Sequence, residues 1–257
     1  MHYAPQAMIF DLDGVITFTA RVHAAAWKQL FDQYLKERSV RYGERFRPFD
    51  TERDYLNYVD GKPRYEGVTS FLSSRGITIP YGSPSDSPDS ETICGLGNGK
   101  DKLFTEKIHE VGVDVDADAV RLVRELRHRD IRVGLASSSR NAVPVLEQAG
   151  IRTLFDQIVD GVVSDRLQLA GKPEPDIFLQ CLAKLTADAD PRQSGIAEDA
   201  ISGVEAGRRG GFGLVLGVDR HDTGMLAQSG ATWVIHDFEK VTAEQVIRYF
   251  TDRARVA

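Results

Sequence analysis

The sequence predicts an α/β fold: a doubly wound, mostly parallel, Rossmann-like sheet core that carries an inserted α-helical cap domain. The first observation is that short apolar runs alternate with helical patterns from residue 116 onward. Such alternation produces parallel strands with helices on both faces of the sheet. The second is that residues 18–115 contain helical patterns and no convincing buried strand. We therefore expect a core domain from residues 1–17 and 116–257 and a cap domain from residues 18–115.

The elements of the core follow from short segments in chain order. The apolar run at residues 7–10 predicts the first strand, and apolar spacing after Asp116 predicts a helix that Asp116 or Asp118 could cap. Pro144 in the first turn and Gly150 just past the end favour a helix over residues 141–150. A proline near the start predicts another helix over residues 173–185. Further strands are predicted within residues 132–139, 156–164, 194–199, 211–218 and 231–237.

The cap is predicted from three helical segments and one loop. His23, Trp27, Leu30 and Tyr34 recur at helical spacing along the first segment. The other two helices are predicted over residues 63–74 and 100–111, and the segment from Ile79 to Asn98, rich in Pro, Ser, Gly and Asp, is predicted to be a loop.

Composition narrows the class of protein. At 257 residues and 42% hydrophobic residues, the chain can bury a sizeable core. Its net charge of −6 gives no general attraction for a polyanion, so we expect no nucleic-acid partner. Cys94 and Cys181 are too few for a disulfide framework or a zinc site, which fits a reducing cytosol. Asp11 precedes any signal-peptide region, and no apolar run approaches the ~18–20 residues that cross a bilayer, so we expect a cytoplasmic protein without a membrane partner.

Polar side chains collect where the predicted strands end, which is where ligands bind in an open parallel sheet. Each of these residues alone would also fit a turn, a helix cap or a solvated surface. Carboxylates on two strands suit a hard divalent cation such as Mg²⁺. Hydroxyls, a lysine and the start of a helix near Asn141 suit an anion, most simply a phosphate. The set comprises Asp11, Asp13, Ser137, Ser138, Ser139, Lys172, Glu198 and Asp199.

Four of these segments match, in order, the motifs of a known superfamily. Residues 10–16 (FDLDGVI) match its first motif, Ser137 the second, Lys172 the third, and Glu198 with Asp199 the fourth. The sequence resembles the haloacid dehalogenase (HAD) superfamily of phosphoryl-transfer enzymes, and within it the β-phosphoglucomutase-like subfamily. The resemblance implies a HAD-like core with a helical cap.

The resemblance implies roles that agree with the charge argument. Asp11 would attack phosphorus and carry an aspartyl-phosphate. Asp13 would be the general acid and base for the sugar oxygen, and its proton affinity must be higher than that of Asp11. Ser137, Ser138 and Lys172 would hold the oxygens of the phosphoryl group in transfer.

Mg²⁺ is the cofactor that the resemblance implies. Its ligands would be the carboxylate of Asp11, the main-chain carbonyl of Asp13 and the carboxylate of Asp199. Glu198 would lie nearby, either as a further ligand or just outside the ligand shell.

A mutase that works through a bisphosphate needs a second phosphate site, and the resemblance supplies candidates. In the core these are Ser139, Arg140 and Asn141. In the cap, Arg64 takes the place of a phosphate-binding arginine, and Thr19 and His23 match hinge and entrance residues. The full set of candidate contacts to the substrate and its distal phosphate is Thr19, His23, Trp27, Gly61, Lys62, Arg64, Ser139, Arg140 and Asn141.

Some residues depart from the subfamily pattern. Phe18 stands where a second acidic residue is common, and Ala200 where a serine is usual. Asp60 stands where the cap usually carries a lysine that contacts the sugar, with Lys62 as a possible substitute. The run GLGNGK at residues 95–100 resembles a phosphate-binding loop but follows no predicted strand, so we predict a flexible loop.

The leading hypothesis is a monomeric, Mg²⁺-dependent phosphomutase that interconverts β-D-glucose 1-phosphate and D-glucose 6-phosphate through a 1,6-bisphosphate. One alternative is a sugar-phosphate phosphatase on the same scaffold, which would release free phosphate. A second is a non-enzymatic phosphoacceptor switch, since receiver domains also place an aspartate and Mg²⁺ at the end of a parallel sheet.

Overall fold

A computed structural model describes residues 5–254 and shows a parallel sheet of six strands. The strands lie in the order β3-β2-β1-β4-β5-β6, and every neighbouring pair is parallel. This sheet with its connecting helices confirms the predicted α/β class. The strands are β1 (Ala7–Phe10), β2 (Arg132–Ala136), β3 (Gln157–Val159), β4 (Ser194–Glu198), β5 (Leu214–Val218) and β6 (Trp233–Ile235).

Strand β1 lies between β2 and β4, near the centre of the sheet, and is apolar throughout. All four of its residues are buried. Ala7 is level with Arg132 on one side and with Ser194 on the other, so the ends of β1, β2 and β4 meet at one edge. A central parallel strand is covered on both faces, which explains why its sequence runs apolar without alternation.

The described part of the chain contains ten α-helices. The predicted helices after residue 116 and over residues 141–150 and 173–185 are present, with boundaries shortened at their ends. The helices are α1 (Ala20–Tyr42), α2 (Arg64–Ser74), α3 (Ile93–Val111), α4 (Ala117–Arg127), α5 (Ala142–Gln148), α6 (Gly161–Leu167), α7 (Asp176–Leu185), α8 (Ile201–Arg209), α9 (Met225–Ser229) and α10 (Ala243–Ala254).

The chain divides into two compact units. The core unit takes the described residues of Met1–Phe18 and Asp114–Ala257, and the helical unit is Thr19–Val113. All six strands belong to the core unit. In the helical unit, α1, α2 and α3 surround an aromatic cluster in which the Phe31 and Phe71 ring centroids lie 4.1 Å apart. Burial of each such side chain stabilises the unit by about 1.5–3 kcal/mol.

The predicted strand at residues 156–164 is half wrong. The strand ends at Val159, and helix α6 begins at Gly161. Asp160 causes the change, because its side chain accepts a hydrogen bond from the Val163 N–H (2.9 Å) and so begins the helix. Val162 is 47% exposed, so the apolar run that predicted a longer strand does not cross the core.

The predicted loop at GLGNGK is also wrong, since residues 95–100 lie inside helix α3. Thr92 caps this helix by accepting a hydrogen bond from the Gly95 N–H (2.9 Å). A Cβ on Gly95 would lie 2.3 Å from the Ser90 carbonyl oxygen, and one on Gly97 would lie 2.6 Å from the Tyr65 ring. These glycines therefore serve close packing rather than flexibility.

No helix among the residues that the structure describes has both the length and the apolar character needed to span a membrane.

Candidate active site

The centre of the site is a buried lysine that contacts two buried carboxylates. Lys172 Nζ donates to Asp11 Oδ1 at 2.6 Å and to Glu198 Oε1 in a second, shorter hydrogen bond. Lys172 is 1% exposed, Asp11 6% and Glu198 0%. Asp11 lies in the loop after β1, Lys172 in the loop between α6 and α7, and Glu198 at the end of β4. Sheet topology thus brings together residues that are far apart in the sequence, as expected for parallel strand ends.

The charges of this cluster are strongly coupled. Burial is the largest cause of the raised pKa of Asp11, which lies at about 8; Lys172 opposes the shift, and Glu198 and Asp13 add to it. For Lys172, burial lowers the pKa, but Asp11 and Glu198 outweigh it and hold the pKa above its ordinary value. Lys172 therefore favours the ionised form of Asp11, whereas burial and the neighbouring carboxylates oppose it.

Glu198 is fixed on both of its oxygens. Besides Lys172, it accepts a hydrogen bond from the Ala200 N–H at Oε2 (2.8 Å). Gly203 of α8 lies directly against this carboxylate, because a Cβ there would be 1.8 Å from Oε1. The first turn of α8 can therefore approach Glu198 only with glycine at this position.

The loop after Asp11 lies directly against a further carboxylate, that of Asp199. The Gly14 N–H donates to the Thr17 carbonyl oxygen (2.7 Å), and Asp13 forms a β-bridge with Thr17. Gly14 has φ +84°, and a Cβ on it would lie 1.7 Å from Asp199 Oδ2. Glycine is required here on both counts, since the conformation is left-handed and the Asp199 carboxylate occupies the space of a side chain.

The serines after β2 form a chain of local hydrogen bonds. Ser137 is 1% exposed, and its Oγ accepts from the Ser139 N–H at 3.1 Å. Ser139 Oγ accepts in turn from the Asn141 N–H at 3.2 Å. Arg140 points to α6, where its guanidinium pairs with Asp165 at 2.7 Å. These contacts fix the backbone of residues 137–141 at the end of β2.

The candidate residues of the helical unit are held by partners within that unit. His23 contacts Lys100 Nζ through Nδ1, and its ring stacks on Phe104 at 4.0 Å. Lys100 is 5% exposed and lies 5.2 Å from the Trp27 ring centroid. The two basic candidates of this unit also have partners. Arg64 pairs with Asp101 at 2.7 Å, and Lys62 donates to Ser70 Oγ at 3.1 Å.

The predicted cation site has a suitable donor set but few side-chain ligands. Within residues 5–254, no three or more His, Cys, Asp or Glu side chains are grouped so that they could hold a metal ion. The fit therefore depends on two carboxylates, Asp11 and Asp199, with a main-chain carbonyl and water, a set of hard oxygen donors that Mg²⁺ accepts. Asp11 is buried beside Lys172, Glu198 and Asp13, so one lysine faces several carboxylates, and this donor set fits a bound cation.

Sequence reasoning missed several charged residues near these elements. Asp219 and Arg220 follow β5 directly, so the strand-end argument that found Asp11 would also have found them. Asp101 and Asp165, the partners of the candidate arginines, had no such signal. Both lie on helices, and their contacts depend on packing that the sequence does not reveal.

The comparisons with known proteins agree with this fold. The family model described as haloacid dehalogenase-like hydrolase matches residues 5–211. The chain belongs to this family. A β-phosphoglucomutase of Mycobacterium tuberculosis is 43% identical over 92% of this chain and 91% of its own length. The crystal structure of β-phosphoglucomutase from Clostridium difficile superposes with a TM-score of 0.75 at 26% identity, covering 98% of this chain and 99% of that one.

Within the family, the chain is of the β-phosphoglucomutase-like group, and it is an enzyme whose named relatives support the isomerase class. Phosphatases are also among its relatives. A phosphorylated carbohydrates phosphatase of Thermotoga maritima is 28% identical over 90% of this chain and 94% of its own length.

Proposed function

We propose that the protein is a Mg²⁺-dependent phosphomutase that interconverts β-D-glucose 1-phosphate and D-glucose 6-phosphate through an aspartyl-phosphate and a 1,6-bisphosphate. The observation that carries this proposal is the buried contact of Lys172 with Asp11 and Glu198, beside the loop of Asp13 and Gly14. The 43% identity to a mycobacterial β-phosphoglucomutase supports the choice of substrate.

The proposed chemistry has two matched half-reactions. A carboxylate oxygen of Asp11 attacks phosphorus of the bisphosphate, and the bond between phosphorus and the sugar oxygen breaks. Asp13 gives a proton to that leaving oxygen. In the other half-reaction Asp13 takes the proton from a sugar hydroxyl, which attacks the phosphorus on Asp11 and frees its carboxylate.

Lys172 and the serines are the proposed ligands of the phosphoryl group in transfer. The Lys172 ammonium would stabilise charge on the phosphoryl oxygens, and Ser137 and Ser138 would donate to them. Glu198 is assigned to hold Lys172 in place, because both of its oxygens are already occupied by protein donors.

The proposed ligands of Mg²⁺ are the Asp11 carboxylate, the Asp13 main-chain carbonyl and the Asp199 carboxylate. When bound, the cation would keep Asp11 ionised and offset the negative charge of the phosphoryl group. The chain prepares this site by placing Gly14 against Asp199, which leaves no room for a side chain between the two carboxylate-bearing segments.

The distal phosphate and the sugar are assigned to the remaining candidates. In the core unit these are Ser139, Arg140 and Asn141; Arg140 would exchange its pairing with Asp165 for the phosphate. In the helical unit the proposed substrate contacts are Thr19, His23, Trp27, Gly61, Lys62 and Arg64.

A sugar-phosphate phosphatase is the second candidate, and the Thermotoga relative is the observation that favours it. A phosphatase and a mutase would share the nucleophile and the cation, and would differ in whether water or a sugar hydroxyl takes the phosphoryl group from Asp11.

One experiment separates these functions. Purified protein is given β-glucose 1-phosphate, Mg²⁺ and a trace of the 1,6-bisphosphate, and glucose 6-phosphate and inorganic phosphate are measured together. We expect isomer without stoichiometric phosphate, and no product from Asp11→Asn. Asp188→Asn, an exposed aspartate in the core unit, is the matched control and should behave as wild type. Release of phosphate without isomer would reject the mutase in favour of the phosphatase.

The cytoplasmic location, the monomeric state and the lack of a nucleic-acid partner stay predictions.

A further inference from the structure

Arg220 has no role in the proposed chemistry, yet it contacts the loop that carries the nucleophile. Its Nε donates to the Gly14 carbonyl oxygen at 3.0 Å, and its Nη2 pairs with Asp116 Oδ2 at 2.7 Å. The guanidinium carbon lies 4.7 Å from the centroid of the Phe18 ring. The side chain is 21% exposed. One guanidinium thus contacts three separate points of the core unit.

The segment that carries Arg220 is itself well anchored. The neighbouring Asp219 is buried, and its N–H donates to the Ile235 carbonyl oxygen at 2.8 Å. Its carboxylate accepts hydrogen bonds from the N–H groups of Thr223 (3.0 Å) and Gly224 (2.8 Å). Arg220 therefore extends from a fixed backbone at the end of β5.

The acidic partner of Arg220 is equally well fixed. Asp116 is 6% exposed, and its second oxygen, Oδ1, caps α4 by accepting from the N–H groups of Asp118 (3.0 Å) and Ala119 (2.9 Å). The Asp116 N–H donates to the Ile16 carbonyl oxygen at 2.9 Å. Because the Arg220 backbone and the Asp116 carboxylate are both fixed, the guanidinium between them fixes the direction of the Gly14 carbonyl.

We propose that Arg220 is a positioning residue, which holds the Gly14 peptide so that Asp13 and Asp199 keep their spacing. Gly14 follows Asp13, has a left-handed backbone and lies directly against the Asp199 carboxylate. The Gly14 Cα joins the peptide that Arg220 holds to the preceding peptide, which contains the Asp13 carbonyl, so a shift of this Cα would move that carbonyl. This inference rests on the proposed function for its consequence in catalysis, but the positioning itself can be measured without any substrate.

The side-chain chemistry requires arginine at this position. A guanidinium is planar, presents several N–H donors in a fixed fork and stacks on aromatic rings. It can bind the carbonyl, the carboxylate and the Phe18 ring at the same time. A lysine ammonium is a single point on a flexible stem and cannot span the carbonyl and the carboxylate in this geometry.

The first test is amide hydrogen exchange in the metal-free protein, which compares wild type with Arg220→Ala and Arg220→Lys. We expect faster exchange in the peptide that covers residues 11–18 for both variants, and unchanged exchange in β2. Arg248→Ala is the matched control, since it removes an exposed guanidinium that pairs with Glu244 on α10. Unchanged exchange over residues 11–18, or an equal increase over the whole core unit, would overturn the proposal.

The second test uses the isomerase reaction. We expect kcat of Arg220→Ala to fall by about 10-fold to 100-fold, the range seen for residues that orient a ligating group without contacting the ligand themselves. KM for the sugar phosphate should change by less than about 3-fold. Added guanidinium ion should restore part of kcat in Arg220→Ala and none in Arg220→Lys. A wild-type kcat in Arg220→Ala, or a fall without rescue, would overturn the inference. Failure of wild type to form isomer would instead reject the proposed function and leave the exchange test to decide.

Discussion

In the core unit, one ammonium serves two carboxylates, since Lys172 contacts both Asp11 and Glu198. In the helical unit, the candidate phosphate ligands have separate partners: Arg64 pairs with Asp101, and Lys62 donates to Ser70. The core cluster is buried and its members depend on one another for charge balance. These two pairs of the helical unit are partly exposed and share no residue with each other. Changes at Lys172, Asp11 or Glu198 should therefore alter stability and chemistry together, whereas changes at Arg64 or Lys62 should alter chemistry alone.

The largest effect is expected for Lys172→Met, which keeps side-chain bulk but leaves two buried carboxylates without their cation. We expect a loss of about 3–5 kcal/mol in the free energy of unfolding near neutral pH. Activity should fall by at least about 10³-fold, since the charge on the phosphoryl oxygens loses its partner. Lys240→Met, at an exposed lysine of the core unit, is the control. A Lys172→Met protein within about 0.5 kcal/mol of wild type in urea unfolding would contradict the coupled cluster.

Arg64→Ala tests the opposite expectation for the helical unit. The isomerase kcat/KM should fall by about 10-fold to 100-fold, equivalent to the roughly 1.5–3 kcal/mol of a charge-assisted hydrogen bond. The free energy of unfolding should change by less than about 1 kcal/mol, because the lost ion pair is partly exposed. Arg53→Ala, at a 70% exposed arginine of the same unit, should leave both quantities unchanged. An unchanged kcat/KM in Arg64→Ala would remove this residue from the site.

Gly203→Ala tests the packing behind Glu198. Glycine to alanine within a helix usually stabilises by about 1 kcal/mol. Here the new Cβ would meet Glu198 Oε1 at 1.8 Å, so we expect a loss of about 1–3 kcal/mol from overpacking and about a 10-fold fall in activity. The matched variant is Gly67→Ala in α2, where the nearest atom, in the Trp27 ring, is 3.3 Å away. Equal effects of the two substitutions would contradict the close approach of α8 to Glu198.

The last prediction concerns the pH dependence that Asp11 contributes, which is measured as a slope rather than as a loss at one pH. Its pKa is about 8 in the folded protein, above the ordinary aspartate value of 3.8, so between these values the folded state binds a proton that the unfolded chain has released. The stability of the metal-free protein should therefore fall as pH rises through this window, by no more than about 1.4 kcal/mol per pH unit for one proton. Asp11→Asn lacks this term, and its stability relative to wild type should rise with pH in EDTA. A difference independent of pH would mean that the Asp11 carboxyl is ionised throughout.

The same contrast explains how much could be predicted from the sequence. Parallel strands end at one edge, so Asp11 and Glu198 could be expected to meet from topology alone. Lys172 was expected there because it follows the third predicted strand, although helix α6 lies between that strand and the lysine. The contact of Arg220 with the Gly14 carbonyl could have been predicted in the same way, because Arg220 follows the end of β5. The pairing of Arg64 with Asp101 could not, since it depends on how α2 and α3 pack side by side.

The two errors in the predicted fold arise because three-dimensional contacts and capping override the local sequence pattern. The helix over residues 95–100 was missed because its glycines lower helix propensity, while the close contacts that require them are visible only in three dimensions. The helix after Val159 was missed because the capping side chain of Asp160 overrides an apolar pattern that resembles a strand.

The central claim is that the buried cluster makes Asp11 the residue that carries the phosphoryl group. The direct measurement is mass spectrometry of rapidly quenched protein after mixing with β-glucose 1,6-bisphosphate and Mg²⁺, with the modified peptide mapped to a residue. We predict one added phosphoryl group on Asp11, which passes to added β-glucose 1-phosphate to form the 1,6-bisphosphate and returns to Asp11 as glucose 6-phosphate is released. A phosphoryl group on another residue, or isomer formed by Asp11→Asn at the wild-type rate, would contradict the account.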